Sequence, residues 1–123
     1  MWRVDKEGIE DGYYSRYFRL SHEFIVDYLT IRVKVFPTIE EARNEYEAKL
    51  AAVQPRFSTS SPRIGEEAFA YAEGNTYTCL FRKSNVIGIA DLWFALSGGS
   101  PPSLQEALDK VIEWARNLER KIS

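Results

Sequence analysis

The sequence contains a single cysteine, Cys79, and a single histidine, His22. One cysteine excludes an intramolecular disulfide and a zinc site built from several cysteines. One histidine excludes a His-rich metal site, and a Ser-His-Asp arrangement would have to use His22. His22 lies in a predicted turn beside Glu23, which favours a solvated side chain. Cys79 lies in the middle of a predicted strand, where cysteine usually packs as a small apolar side chain. The sequence therefore predicts no catalytic residue and no metal site.

An excess of one charge is also missing, because 16 basic and 18 acidic residues are interspersed and give a formal net charge of −2. Domains that bind nucleic acid usually carry a basic excess. The sequence therefore predicts no nucleic-acid partner. A local basic stripe is the alternative, and it would need Arg19, Arg32, Lys34 and Arg82.

Long apolar runs and phosphate-binding motifs are absent as well. No window reaches the length of a membrane span, and the first residues, MWRVDKEGIEDG, lack the apolar core of a signal peptide. The sequence as written therefore predicts a cytoplasmic protein, and an exported domain separated from its leader is the alternative. Gly98-Gly99 is followed by Ser-Pro and not by Lys-Ser/Thr, which excludes a P-loop. No cofactor is predicted.

The length of 123 residues fits a single domain, with residues 1–12 predicted as a loosely ordered N-terminal segment. GYYSRYFRLS and residues 24–36 alternate in the manner of two strands and predict an antiparallel hairpin. In the second strand the two sets of alternating side chains are Leu29, Ile31, Val33, Val35 and Tyr28, Thr30, Arg32, Lys34.

Two amphipathic helices are predicted, each after a group of strands. Thr38 is a good N-cap, and Glu41 stands three residues later, at the spacing of a capping box. Ser103 and Glu106 repeat this spacing before the last helix. The segment from residue 54 to residue 65 is predicted as a loop, with either a simple connecting role or a functional one.

Residues 64–94 predict three strands joined by turns at Gly74-Asn75 and Lys83-Ser84-Asn85. Small residues alternate along these strands and predict seats for both helices: Ala68, Ala70, Ala72, Gly88 and Ala90. The predicted fold is α+β, a single antiparallel sheet of about five strands in the order ββαβββα, with two helices packed on one face.

That arrangement would leave the other sheet face open. Tyr28, Arg32 and Lys34 share this face and are the candidate ligand-binding residues, although such side chains also stabilise ordinary exposed sheets. Asp27 and Asp91 lie in predicted strands, where burial would raise the pKa of a carboxyl group. These two acids are the candidates for a pocket between sheet and helices, and a position on the solvent side or at a sheet edge is the favoured alternative.

Two stretches carry a family resemblance. VKVFPTIEEARNEYEAKL resembles the strand-then-helix segment of PsbP/Mog1-like small α/β domains, and IGEEAFAY with LFRKSNVIGIAD is similar to a strand and hairpin of those domains. The matching positions are Val35, Phe36, Glu41, Ala42, Tyr46, Gly65, Glu66, Glu67, Ala68, Arg82 and Asn85. The resemblance implies a non-enzymatic accessory or sensor module and carries over no functional residue.

The function predicted from the sequence is a non-catalytic binding or protein-interaction module, with a protein partner or a second copy of the chain as its partner. The alternative is a small enzyme or ligand carrier that uses an acid such as Asp27 or Asp91 in a pocket between the sheet and a helix.

Overall fold

The computed structural model describes residues 2–10, 13–22, 25–94 and 104–122, and for 2–10, 17–22, 25–27 and 94 it describes the backbone alone. Its elements are β1 (Trp2–Glu10), β2 (Tyr13–His22), β3 (Ile25–Val35), α1 (Ile39–Val53), β4 (Glu67–Glu73), β5 (Thr76–Lys83), β6 (Val86–Phe94) and α2 (Leu104–Arg120). The strands form one antiparallel sheet in the order β1-β2-β3-β6-β5-β4. The predicted α+β class and antiparallel sheet are confirmed.

Strand β1 forms where the sequence predicts a loosely ordered segment, and it brings the strand count to six. It pairs with β2 from Trp2 opposite Leu20 to Glu10 opposite Tyr13, with a register shift between Val4 and Lys6. Charged residues interrupt the apolar ones in this segment, so its local strand signal is weak. The pairing with β2, a non-local interaction, supplies the backbone hydrogen bonds that local propensity does not predict.

The two helices pack on opposite faces of the sheet, so the prediction that both lie on one face is wrong. Along β5, Cys79 and Phe81 belong to the core under α2, whereas Leu80 belongs to the core under α1. Successive residues of a strand point to opposite faces, and β4, β5 and β6 carry apolar residues on both. Both faces of these strands must therefore be covered. The small residues Ala68, Ala70, Gly88 and Ala90 all lie on the α2 face.

Helix α1 begins as the sequence predicts, because the Thr38 hydroxyl accepts a hydrogen bond from the Glu41 backbone N–H at 3.1 Å. Ala42 and Tyr46 face the sheet, and the Tyr46 ring meets Phe69 edge-on with 5.5 Å between centroids. The predicted cap of α2 at Ser103 lies outside the described residues.

Helix α2 packs closely on the sheet because the residues beneath it are small. A Cβ atom on Gly88 would lie 2.3 Å from the Phe81 ring and 3.1 Å from a methyl group of Leu118. The buried residues of the helix itself are Ala107, Val111 and Ala115. Small side chains on both surfaces therefore set the short distance between helix and sheet.

The segment that joins α1 to β4 is largely exposed but contacts the sheet at several points. Ser60 forms an antiparallel bridge with Ala70, with both N–H to carbonyl distances at 2.9 Å. The Phe57 ring stacks on Tyr71 with 5.6 Å between centroids, and Ile64 is buried. This segment covers the outer edge of β4.

The predicted turn at Ser21 and His22 is part of strand β2. Ser21 lies opposite Val26 and His22 opposite Ile25 in the antiparallel pairing with β3. The side chain of His22 lies outside the described residues.

Candidate functional site

The predicted ligand-binding residues Tyr28, Arg32 and Lys34 lie on one face of β3, the face that also carries α1. The face is therefore not open along its whole length. The Tyr28 ring packs on Trp93 with 5.2 Å between centroids, and the Lys34 ammonium lies 4.9 Å from the Phe36 ring centroid. Both side chains thus have intramolecular partners, and a ligand role for them stays a prediction.

A cavity of about 230 Å³ lies between the C-terminal half of α1 and the sheet, and we call it the α1 cavity. Its lining residues are Arg32, Lys49, Ala52, Val53, Phe69, Tyr71, Thr78, Leu80, Ile89 and Asp91. The sequence predicts an acid in a pocket between sheet and helix, and Asp91 occupies such a position.

The Asp91 carboxylate is held on both of its oxygens. Oδ2 accepts a hydrogen bond from an Arg32 terminal nitrogen at 2.5 Å, and Oδ1 accepts one from the Thr78 hydroxyl at 2.5 Å. The side chain of Asp91 is 19% exposed and that of Arg32 is 33% exposed. The carboxylate is thus fixed in an ion pair, and this arrangement suits recognition of a polar ligand better than proton abstraction.

Two further polar side chains, Tyr71 and Lys49, line the α1 cavity. Burial raises the pKa of the Tyr71 hydroxyl, and a hydrogen bond with Thr78 acts in the opposite direction. The Lys49 ammonium lies 5.3 Å from the centroid of the Tyr13 ring. The α1 cavity therefore combines a neutral ion pair with one further cation above an apolar floor.

The other candidate acid, Asp27, lies three residues along β3 from Thr30, the residue opposite Asp91. Its backbone lies in β3 opposite Leu20 and Phe94, whereas Asp91 lies opposite Thr30. The side chain of Asp27 lies outside the described residues.

A second concavity of about 230 Å³ lies on the opposite face, beside α2, and we call it the α2 groove. Its lining residues are Tyr14, Arg16, Ile31, Val33, Trp114, Asn117, Leu118 and Lys121. The groove forms because α2 packs on β4, β5 and β6, whereas the sheet continues beyond the helix into β3 and β2. The helix therefore leaves apolar side chains of β3 only half-buried.

The lining of the α2 groove is apolar at its centre and cationic at its margin. Ile31, Val33 and Leu118 are half-buried, and Tyr14 is 47% exposed. Among the side chains that the structure describes, Arg16 and Lys121 are the charged lining residues, and none of these lining side chains is a carboxylate. The residue opposite Arg16 in the β1–β2 pairing is Glu7. Exposed Lys121 is therefore the cation with the greater freedom to meet a ligand.

The sequence does not predict the α2 groove, although it holds a signal for it. Strand β3 has 11 residues and is apolar along the face that carries Leu29, Ile31, Val33 and Val35. Helix α2 is too narrow to cover β3 as well as β4 to β6. The length of this apolar strand face, compared with the width of one helix, is the signal for a partly uncovered sheet.

Four residues of the family resemblance lie around the β5–β6 turn: Gly65, Glu66, Glu67 and Arg82. Arg82 is buried, and its Nε donates to Glu67 Oε2 at 2.6 Å while a terminal nitrogen donates to the Ser84 carbonyl at 2.9 Å. The Ser84 backbone N–H donates to a carboxylate oxygen of Glu66 at 2.8 Å. Gly65 has a φ of +60°, and a Cβ atom there would lie 2.4 Å from the Arg82 carbonyl oxygen. These residues fix the β5–β6 turn.

Cys79 is fully buried, as the sequence predicts, and burial raises the pKa of its thiol to about 12. A thiol with this pKa is almost entirely protonated at neutral pH and is a poor nucleophile.

The described residues contain neither a metal-binding cluster nor a membrane-spanning helix. No group of three or more His, Cys, Asp or Glu side chains in that part of the chain could hold a metal ion. Neither described helix is long and apolar enough to cross a membrane.

Comparison with protein-family models, with curated proteins and with solved structures finds no match to this chain.

Proposed function

We propose that the protein is a non-catalytic binding module and that the α2 groove is its binding surface. The observation that carries the proposal is the half-buried apolar surface of Ile31, Val33, Trp114 and Leu118 in a concave site. Concave, mostly apolar sites with a few polar groups at the margin are typical ligand sites. Two of the described side chains that could act as a nucleophile or a base have other roles, because Cys79 is buried and the Asp91 carboxylate is held in an ion pair.

The experiment uses Nile red, a neutral apolar dye, with fluorescence titration of the purified protein. We expect saturable binding of one dye per chain. Val33→Gln places an amide in the groove and should weaken binding about tenfold or more, because it removes apolar contact area and adds a polar group to desolvate. Leu104→Ser changes an exposed apolar residue of α2 that does not line the groove and should leave binding unchanged. Binding that does not saturate, or that Val33→Gln leaves intact, contradicts the proposal.

Self-association through the same surface is a form of this function that the sequence also predicts. Light scattering of the wild type over a range of concentrations distinguishes it from ligand binding. A dimer that dissociates in Val33→Gln would identify a second copy as the occupant of the groove.

A second candidate function is a ligand carrier, or a small enzyme, that uses the α1 cavity. It is favoured by one observation, the position of Asp91 in the wall of that cavity. Asp91→Asn and Thr78→Val change the polar groups of this cavity and lie on the face opposite the α2 groove. A metabolite mixture that raises the melting temperature of the wild type and of Val33→Gln, but not of Asp91→Asn, would support this candidate in place of the first.

A further inference from the structure

We infer that the ligand of the α2 groove is a free aliphatic monocarboxylate, a chain with one anionic end. This inference rests on the proposed function and adds the chemical class of the ligand. It follows from how charge and apolar surface are distributed along the groove.

The apolar part of the groove suits an unbranched hydrocarbon chain. Ile31 and Val33 alternate along β3 and form the floor, because both point to the α2 face. Trp114 and Leu118 stand one helical turn apart on α2 and form the wall. A narrow channel between a strand and a helix is bordered by apolar groups on two sides, and a flexible chain can follow it.

The charged part of the groove selects the sign of the ligand. The described part of the lining carries two cations, Arg16 and Lys121, and no carboxylate. Glu7 lies opposite Arg16 in the strand register, so the selectivity for an anion depends mainly on Lys121. A ligand with a cationic end would meet like charge at this margin, whereas a carboxylate would pair with the ammonium group.

The C-terminal end of α2 lies near this margin and opposes an anion through its helix dipole. Its carbonyl oxygens are partly neutralised, since the Leu118 carbonyl accepts from the Lys121 backbone N–H at 3.1 Å and the Ile122 carbonyl accepts from Lys83 Nζ at 2.8 Å. The dipole contribution is smaller than that of a full positive charge at the same distance. The net preference is therefore for a carboxylate.

The experiment compares four probes below their micelle concentrations by calorimetry: hexanoate, octanoate, decanoate and 1-octanol. Each added methylene should raise affinity about three- to fourfold while the groove has room. Beyond the capacity of the groove, affinity should stop rising with chain length. Octanoate should bind more tightly than 1-octanol, and added salt should reduce that advantage.

Two lysine variants of α2 provide the matched comparison. Lys121→Gln should weaken octanoate binding about two- to fivefold and leave 1-octanol binding unchanged, because it removes one partly exposed ion pair. Lys121→Arg should restore the octanoate affinity. Lys110→Gln removes an exposed charge of the same helix outside the groove and should change neither affinity. Octyltrimethylammonium should bind to the wild type more weakly than octanoate or 1-octanol does.

The outcomes separate this inference from the function on which it rests. If octanoate, 1-octanol and octyltrimethylammonium bind equally and Val33→Gln abolishes all three, the groove is a binding site and the inferred carboxylate selectivity is wrong. If none of the probes binds and Nile red does not bind either, the proposed function is wrong as well. If octanoate affinity survives Val33→Gln, the carboxylate binds elsewhere and the inference is overturned.

Discussion

The Nε atom of Arg82 donates a hydrogen bond to Oε2 of Glu67 at 2.6 Å, and the arginine side chain is only 7% exposed. The pair joins β5 to β4, since the two residues lie opposite each other in the strand register. Removal of one partner leaves the other charge in a site from which water is largely excluded, and this is the costly way to break an ion pair.

The first prediction concerns this pair. Glu67→Ala should lower the free energy of unfolding by about 2–4 kcal/mol, measured by urea denaturation, because the Arg82 guanidinium would lose its carboxylate partner. Arg56→Ala is the control: Arg56 pairs with Glu73 at 4.0 Å and both side chains are exposed, so its loss should cost less than about 0.5 kcal/mol. Equal effects of the two substitutions would show that the buried Glu67–Arg82 pair contributes no more to the free energy of unfolding than an exposed ion pair does.

The second prediction concerns the contact between α2 and the sheet. Gly88→Ala should destabilise the protein by about 1–3 kcal/mol, because the new methyl group would overlap the Phe81 ring. Phe81→Leu in the same chain should recover part of this loss by vacating that space. Gly74→Asn is the matched control, since no atom lies within 4 Å of a Cβ there and Asn tolerates a φ of +60°. A Gly88→Ala protein as stable as the wild type would place α2 farther from the sheet.

Local patterns of the sequence predict most of the elements but not their assembly. The Thr38–Glu41 cap and the alternation along β3 are each determined by neighbours a few residues apart, and both are confirmed. The side of the sheet on which a helix lies depends on the connections between elements. Apolar residues on both faces of β5, such as Cys79 and Leu80, indicate two covered faces. The prediction that both helices pack on one face is therefore wrong.

The candidate sites differ in how far the sequence predicts them. Asp91 is conspicuous in the sequence because an acid among apolar strand residues needs a partner, and the structure provides Arg32 from a neighbouring strand. The α2 groove brings Tyr14 of β2, Val33 of β3 and Trp114 of α2 together. That combination requires the strand order and the helix position, and neither follows from local pattern.

The third prediction concerns Cys79. In the native protein its thiol should resist labelling with iodoacetamide from pH 7 to pH 9, because it is buried and its pKa is raised to about 12. In urea the same thiol should react at the rate of an ordinary cysteine, whose pKa is about 8.5. Mass spectrometry of the labelled chain measures both rates. Native labelling as fast as labelling in urea would mean that β5 opens readily.

The fourth prediction concerns alkaline pH. Burial is the main cause that raises the pKa values of the hydroxyl groups of Tyr13, Tyr46 and Tyr71. A raised pKa means that the folded state retains these protons more strongly than the unfolded state, in which tyrosine titrates near pH 10. Their contribution to stability is therefore complete below about pH 10 and is lost as the pH rises above it.

Absorbance at 295 nm measures this behaviour directly. The fraction of the tyrosine signal that belongs to these three residues should appear only when the protein unfolds, as judged by circular dichroism. Tyr46→Phe should reduce the fraction of the signal that appears on unfolding. Once its stability at pH 7 is taken into account, this variant should unfold at a higher pH than the wild type. A single tyrosine titration near pH 10 in the folded state would contradict the burial of these three rings.

The bridge between Ser60 and Ala70 limits how the sheet could grow. A further strand can add only along an edge whose backbone N–H and carbonyl groups are available, and Ser60 occupies those of Ala70 in the middle of β4. Among the described strands, β1 is the other edge. Addition of a further strand is therefore expected at β1 and disfavoured at β4. Two copies joined through β1 would form a closed pair, in which the described edge that remains on each copy, β4, is interrupted at Ala70.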